Sequence, residues 1–324
     1  MKGNRRPGNR EEKTKALLEK LEEGVKAVFD SEQYKNYLSA MSRFHSYSFN
    51  NTLLICMQKP DASLVAGFKT WESLGRHVKK GETGIAILAP CPYRSIKEME
   101  AVDLDTGEVR LDAQGNPIKE KREISYLSFR PATVFDISQT EGKELPSLAE
   151  ELKGEAENYA ALMDAVRQTS PFLVRFDTWE GSKKGYCSPA NREIVIKSGM
   201  SEMQTVKTAI HETAHSILHI EHQKEPASME VEAESIAYVV CQHFGLDTSD
   251  YSFGYLAGWS SGKELPELKA SLQIIQKTAN HVIEHMESRI QNYTNNLDIS
   301  RSLEEEPREI PGLADTSLKH RKRR

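Results

Sequence analysis

The chain has 324 residues, 38% of them apolar and 28% charged, and a formal net charge of −5. That length accommodates two domains and that composition a packed core, which excludes a wholly disordered chain. No apolar run approaches the roughly eighteen residues a membrane span needs, and the first residues lack a signal-peptide apolar stretch, so a cytoplasmic protein with no membrane partner is expected.

Cys56, Cys91, Cys187 and Cys241 are scattered, with no CxxC pair. This argues for reduced thiols and against a cysteine metal site. Charge is unevenly spread. Residues 33–94 hold eight Lys or Arg against three Asp or Glu, whereas 221–250 is acidic. The asymmetry suggests an anionic partner for the first half.

In chain order, residues 1–12, with Arg5, Arg6 and Arg10, read as a disordered basic arm. Leu17, Leu18, Leu21, Val25 and Val28 predict an amphipathic helix over about 13–30. A second helix follows Ser31 with Tyr34, Tyr37, Leu38 and Met41 inward, and a third ends before Pro60. A short strand is expected at 64–68, and a brief helix at 71–74 capped by Thr70 and stopped by Gly75. The stretch 78–82 has hairpin chemistry, and 84–90 reads as a buried strand. Residues 95–122 are polar and rich in turn signals, a long loop or hairpin extension, with strands resuming at 124–129 and 132–136. The domain boundary is placed near 145–146.

Beyond it, 148–169 reads as a helix and 172–176 as a strand. Residues 185–187 and 193–197 form an expected hairpin. Ser201 with Gln204 marks a capping-box helix start. Ser228 as N-cap and Gly245 at C′ bracket a helix of about four turns. Residues 251–261 form an aromatic-rich connection, and 265–292 a long helix burying Leu268, Leu272, Ile275, Ala279, Val282 and Met286. A charged, disordered tail is expected over 298–324, its end strongly basic.

Two stretches carry chemistry. From Tyr34 to Lys80, basic residues interleave with aromatics, among them Arg43, Tyr47, Lys69, Trp71, Arg76, Lys79 and Lys80. Single-stranded nucleic acid is held by a positive groove along its phosphates and by aromatic faces on which bases stack, so these seven are candidate DNA contacts. The competing reading is that the aromatics are core and the lysines ordinary solvated charges.

The second stretch is His211-Glu212-Thr213-Ala214-His215, an HExxH. Spacing i, i+4 puts both imidazoles on one helical face, where they can take two corners of a tetrahedral zinc, and Glu212 can act as general base toward a zinc-held water. His219 continues the row but lies about 12 Å from His211 along the axis, too far to share one ion with it. A third ligand is sought in the next helix. Glu230 and Glu234 share a face with Ala237 and Cys241, and a carboxylate pair on an apolar face is costly to bury without a cation. Glu230 is the expected third ligand, and Glu234 the partner holding a ligand histidine by its free N–H. Glu232 points roughly 200° away from Glu230. It reads as part of a solvated acidic helix end.

The run FHSYSFNNTLLICMQKPDASLVAGFKTWESLGRHVKKGETGIAILAP, with FRPATVFDISQTEGKELP, resembles the N-terminal single-stranded-DNA-binding domain of ArdC-type antirestriction proteins. The HETAH helix, the Glu230–Glu234 segment and Gly254-Tyr255-Leu256-Ala257-Gly258-Trp259 are similar to the zincin-like domain that accompanies it in LtrC-like proteins. The resemblance implies single-stranded DNA binding, protection of DNA entering a new host, and a metal site at His211, His215 and Glu230. It does not extend to 95–122 or to the basic tail.

The expected fold class is α+β. It has a basic arm (1–12), an α+β single-stranded-DNA-binding domain (13–146), a zincin-like metallopeptidase domain (147–297) and a charged tail (298–324). Zinc is the expected cofactor, with single-stranded DNA and a protein substrate as partners. Two alternatives stay open: a non-enzymatic DNA-binding protein whose zinc is structural, and a zinc peptidase whose first domain recognises protein. Tyr186, Tyr251, Tyr255 and His243 are candidate oxyanion helpers among which spacing does not choose.

Overall fold

The computed structural model describes residues 7–29, 31–103, 106–145, 155–220, 224–249, 251, 253, 256–260 and 263–305. Its elements are mixed α and β. Three helices open the chain: α1 (Pro7–Ala27), α2 (Ser31–Arg43) and α3 (Phe49–Gln58). Tyr34, Tyr37, Leu38 and Met41 all turn inward on α2, as their spacing predicts. The basic arm is a partial correction. The chain is already helical from Pro7, and residues 1–6 lie outside the described residues.

After β1 (Val65–Gly67), α4 (Phe68–Ser73) and β2 (Arg76–Val78), the chain forms one long hairpin from β3 (Ile85–Glu100) and β4 (Lys119–Asp136). The stretch 95–122 is thus largely a hairpin extension, and the two strands expected at 124–129 and 132–136 are one. Its register is continuous from Ile85↔Val134 to Glu100↔Lys119. Only its base reaches the core. Ile85, Ile87, Leu88 and Val134 are buried, while Tyr93, Ile96, Leu127 and Phe129 are exposed. β1 pairs with β4, and β5 (Thr140–Gly142) pairs with β2.

The second half contains α5 (Glu155–Thr169), β6 (Leu173–Asp177), β7 (Gly185–Ser188), β8 (Glu193–Lys197), α6 (Glu202–Leu218), α7 (Pro226–His243), α8 (Leu256–Ser260) and α9 (Leu265–Glu305). The sheet order is β6-β8-β7, with β6 parallel and β7 antiparallel to β8. Helix α9 runs past the expected end at 292 and through the first residues of the expected tail. The basic run at 319–324 lies outside the described residues.

Helix α6 starts as predicted, Ser201 Oγ accepting from the Gln204 N–H. Helix α7 starts differently. Pro226 occupies its first turn, Glu225 is the N-cap, and the Ser228 hydroxyl accepts from Trp259 Nε1 instead of capping. Its end is as expected, with Gly245 at φ 71° just past it. Helix α7 packs against α2, α6 and α9, and from Val231 to Cys241 its apolar side chains are buried on every side. A helix apolar all round belongs in the interior.

One hydrophobic core therefore joins α1–α3 to α6, α7 and α9. Polar contacts cross the same seam. Tyr34 Oη lies 2.7 Å from Ser235 Oγ, and Gln276 Nε2 donates to Tyr47 O and Thr52 Oγ1 at 2.7 and 2.9 Å. A smaller cluster of Ala40, Phe44, Ile55, Ala62, Val65, Ile85, Ile87 and Val134 seats the N-terminal sheet. Residues 146–154, which follow directly on the expected boundary, lie outside the described residues, and the main core spans both sides of them.

Candidate metal centre

The inner stripe of α6 (Val206, Ala209, Ile210, Ala214) is buried against its neighbours and fixes the helix's rotation. His211 and His215 then lie at the edge of that stripe, facing the first turns of α7. His211 Nε2 and His215 Nε2 are 3.1 Å apart. Glu230 Oε2 is 3.5 Å from the first, and Glu230 Oε1 3.5 Å from the second. Bonds of about 2.0–2.1 Å to a tetrahedral ion place ligand atoms about 3.3 Å apart, so these three donors fit three corners of such a site. The fourth side is open, since the Glu230 side chain is 64% exposed.

The outer hydrogen bonds agree with that orientation. Glu234 Oε2 lies 3.1 Å from His211 Nδ1. With Nδ1–H donated to the carboxylate, the Nε2 lone pair is left pointing inward. His215 is held by a longer chain. Its Nδ1 is 2.9 Å from His219 Nδ1, and His219 Nε2 is 3.1 Å from Glu232 Oε2. One proton arrangement satisfies every link: His215 Nδ1–H donates to His219 Nδ1, and His219 Nε2–H donates to Glu232. Lys224 Nζ donates to both Glu232 oxygens at 2.8 and 2.9 Å, and Ser271 Oγ donates to Oε1 at 3.3 Å.

Glu232 is thus a correction. It is fully buried, not part of a solvated helix end. The face of α7 that carries Glu232 meets α6 and α9 instead of solvent, so a carboxylate there must find cations and donors within the protein. His219, excluded as a ligand, remains outside the donor set but holds one of its members. The missed signal was the apolar surround of Glu232, combined with a third histidine one more turn along α6.

The electrostatics favour a cation. Burial alone would lower the His211 pKa, but hydrogen bonds to Glu230 and Glu234 raise it to about 10. Hydrogen bonds from both histidines hold the Glu230 carboxyl well below its usual range. Burial pushes Glu212 up, opposed by the two histidines. The same burial, with Glu212 nearby, raises the Cys187 thiol to about 11.

Beside the donors lies a cleft of about 340 Å³, lined by Gly185, Thr208, His211, Glu212, Glu234 and Tyr251 among others. Gly185 makes the close approach of β7 to α6 possible, since a Cβ there would sit 2.7 Å from the Thr208 methyl. Of the four candidate helpers, Tyr251 lines the cleft. Tyr186 packs beside Trp179, and Tyr255 lies outside the described residues. His243 sits at the far end of α7 against Ser42 and Glu287 and is no part of this centre.

The first-half candidates are not gathered in the same way. Trp71 is fully buried, and its Nε1 donates to Phe135 O at 2.9 Å, so its ring is core and cannot stack on a base. Tyr47 is half-buried with its hydroxyl donated to Val65 O. Arg76 is half-buried and donates to Thr140 Oγ1, Thr140 O and Lys143 O. Arg43, Lys69, Lys79 and Lys80 are exposed, Arg43 donating to Pro60 O and Lys79 to Ser138 O. Exposed aromatics instead include Phe68 on α4 and Tyr93 and Phe129 on the hairpin.

No helix among the described residues is long and apolar enough to cross a membrane. Residues 8–135 match the family model for the N-terminal domain of anti-restriction factor ArdC. The chain is 28% identical over 314 residues to the uncharacterized protein pXO2-81 of Bacillus anthracis, covering 86% of this chain and 52% of that one. It therefore spans about half the length of that curated relative. The metal-free crystal structure of the antirestriction ArdC protein from R388 plasmid is 20% identical with a TM-score of 0.44, covering 77% of this chain and 86% of its own. The Mn(II)-bound form is 18% identical with a TM-score of 0.40, covering 80% and 98%. By the family-model match, residues 8–135 form an ArdC-type N-terminal domain.

Proposed function

We propose that this chain is a single-stranded-DNA-binding, antirestriction-like protein of a mobile element, in which a zincin-like part over about 147–297 holds a zinc ion and works as a peptidase. The ArdC-type domain supports the DNA half. The observation that carries the metal half is the convergence of His211 Nε2 and His215 Nε2, 3.1 Å apart, with each nitrogen 3.5 Å from one oxygen of the Glu230 carboxylate.

Two imidazoles and a carboxylate suit zinc, which when bound supplies Lewis acidity and lowers the pKa of a water it holds to about 7. Glu234 and the His219–Glu232 pair keep both imidazoles in the tautomer that presents Nε2. Glu212, whose carboxyl burial pushes up, would take a proton from the attacking water and return it to the leaving amine. Among the described residues β7 pairs only with β8, so its outer edge offers backbone groups to an extended peptide beside the cleft.

The full chain would be assayed on an unfolded protein such as casein, and on a single-stranded oligonucleotide and its duplex across a salt series. Zinc retention with loss of cleavage in Glu212→Gln is expected. Cleavage surviving that change overturns the mechanism, and zinc without cleavage in the unaltered chain assigns the ion a structural role. DNA binding should prefer the single strand and weaken steeply with salt. No binding at low salt would leave a peptidase with a protein-recognition domain as the better account.

A further inference from the structure

We infer that His45, His243 and Glu287 form a second divalent-cation site, at the seam between the N-terminal and C-terminal helices. His45 lies in the turn between α2 and α3, His243 is the last residue of α7, and Glu287 is on α9. All three are half-buried, and their donor atoms lie within 4.8 Å of one another. The two imidazoles meet edge to face with centroids 4.8 Å apart.

The hydrogen-bond partners fix which nitrogens face inward. His45 Nδ1 is 2.8 Å from Asn280 Oδ1, and the Asn280 amide nitrogen donates to Glu284 Oε1 at 3.1 Å, which orients that amide. His45 therefore carries its proton on Nδ1. His243 Nδ1 is 2.9 Å from the Ser42 carbonyl and carries a proton for the same reason. Its Nε2 then faces the Glu287 carboxylate at 2.8 Å. A lone pair against a carboxylate is repulsive unless a cation or a proton lies between them. The centre on α6 and α7 is organised alike, each Nδ1 tied outward and each Nε2 turned in.

Two imidazole nitrogens and one carboxylate are a donor set for zinc and its borderline neighbours cobalt and nickel. The donors, within 4.8 Å of one another, need only close to the roughly 3.3 Å of a tetrahedral edge, and His45 sits in a turn. An ion there would tie the α2–α3 turn to α7 and α9. Helix α7 would then be held at both ends, by Glu230 near its start and by His243 at its finish, about 20 Å apart.

Metal per chain, measured by elemental analysis after stripping with chelator and dialysis against zinc, tests the inference. Two ions are expected in the unaltered chain, one in His211→Ala/His215→Ala, and none when Glu287→Gln or His45→Gln is added to that pair. Zinc should also raise the melting temperature of the double variant, and not of the triple ones. A single ion in the unaltered chain that Glu287→Gln leaves in place overturns the inference, as does an ion in the folded double variant that persists through both further changes. Should the double variant fail to fold, Glu287→Gln in the otherwise unaltered chain gives the same decision, a fall from two ions to one supporting the site.

Discussion

In α6 and α7 the chemistry-bearing side chains lie where two packed helices face each other. In the interval 43–80 they are scattered over a helix end, a short helix, a short strand and two turns. The first arrangement leaves little freedom. Once the apolar stripe of α6 is buried, the i, i+4 rule places both imidazoles, and the buried α7 brings Glu230 and Glu234 to them. The second arrangement leaves each side chain to its own environment. Trp71 is absorbed into the core and Arg76 into backbone contacts, while Lys69 and Lys80 stay exposed. Sites built across packed elements are thus set by periodicity, whereas surface sites depend on which face of each element the fold leaves outside.

The largest expected effect lies in the helix pair: His211→Ala should abolish zinc retention at that centre, read as the ion lost on dialysis relative to the unaltered chain. Retention of the same ion would dissolve the contrast, because the convergence of donors would then have no chemical meaning. Next comes Trp71→Ala, which should destabilise by about 3–5 kcal/mol, as expected for a fully buried aromatic. Denaturant melts check this. A variant that lost DNA binding at unchanged stability would return Trp71 to the surface role it has been denied.

Glu232→Gln sharpens the comparison from the other side, by testing whether the buried chain behind His215 matters. Loss of an outer partner of a ligand histidine typically costs 10–100-fold in metal affinity. Competition with a zinc chelator would measure it, and an unchanged affinity would reduce Glu232 to a fold-stabilising ion pair. In the first half, Asp136 is the counterpart buried acid. Burial would raise its pKa, but bonds donated by the Ser138 hydroxyl and by the Ser63, Ser138 and Leu64 N–H groups lower it. The folded value lies below the unfolded one, so its stabilisation is full above about pH 4 and is lost as the pH falls through the lowered folded value. Asp136→Asn should flatten that part of the stability–pH curve.

The smallest effect is expected at Lys80. Lys80→Ala should leave melting unchanged and reduce the salt slope of single-strand binding by about 0.7. An unchanged slope would place the phosphate contacts elsewhere, with the basic and aromatic hairpin of Lys97, Arg122, Tyr93 and Phe129 as the next surface to alter.

How much was legible in advance varied with the kind of evidence each element offered. Helix α6 announced itself through Ser201, the stripe from Val206 to Ala214 and the two histidines, all local features within one helix. Glu230 and Glu234 followed from a shared face. Glu232 did not, because two turns of α7 are amphipathic only on paper. The burial of the opposite face against α2 and α9 is contributed by segments up to about two hundred residues away in the chain. The hairpin was half legible for a related reason. Its outer strands fully bury no side chain on either face, so no alternation marked them, and cross-strand hydrogen bonding extended them instead.

The sequence by itself therefore determined the local elements, the expected donor set and the ArdC-type character of the first part, since each rests on short-range spacing. Only the tertiary structure decided that Trp71 is core, that His219 and Glu232 form a buried chain behind His215, and that His45, His243 and Glu287 meet. These depend on which faces of distant helices share one hydrophobic core. Burying that surface gains more than leaving any single polar side chain in water, so the polar groups settle wherever the packed helices carry them.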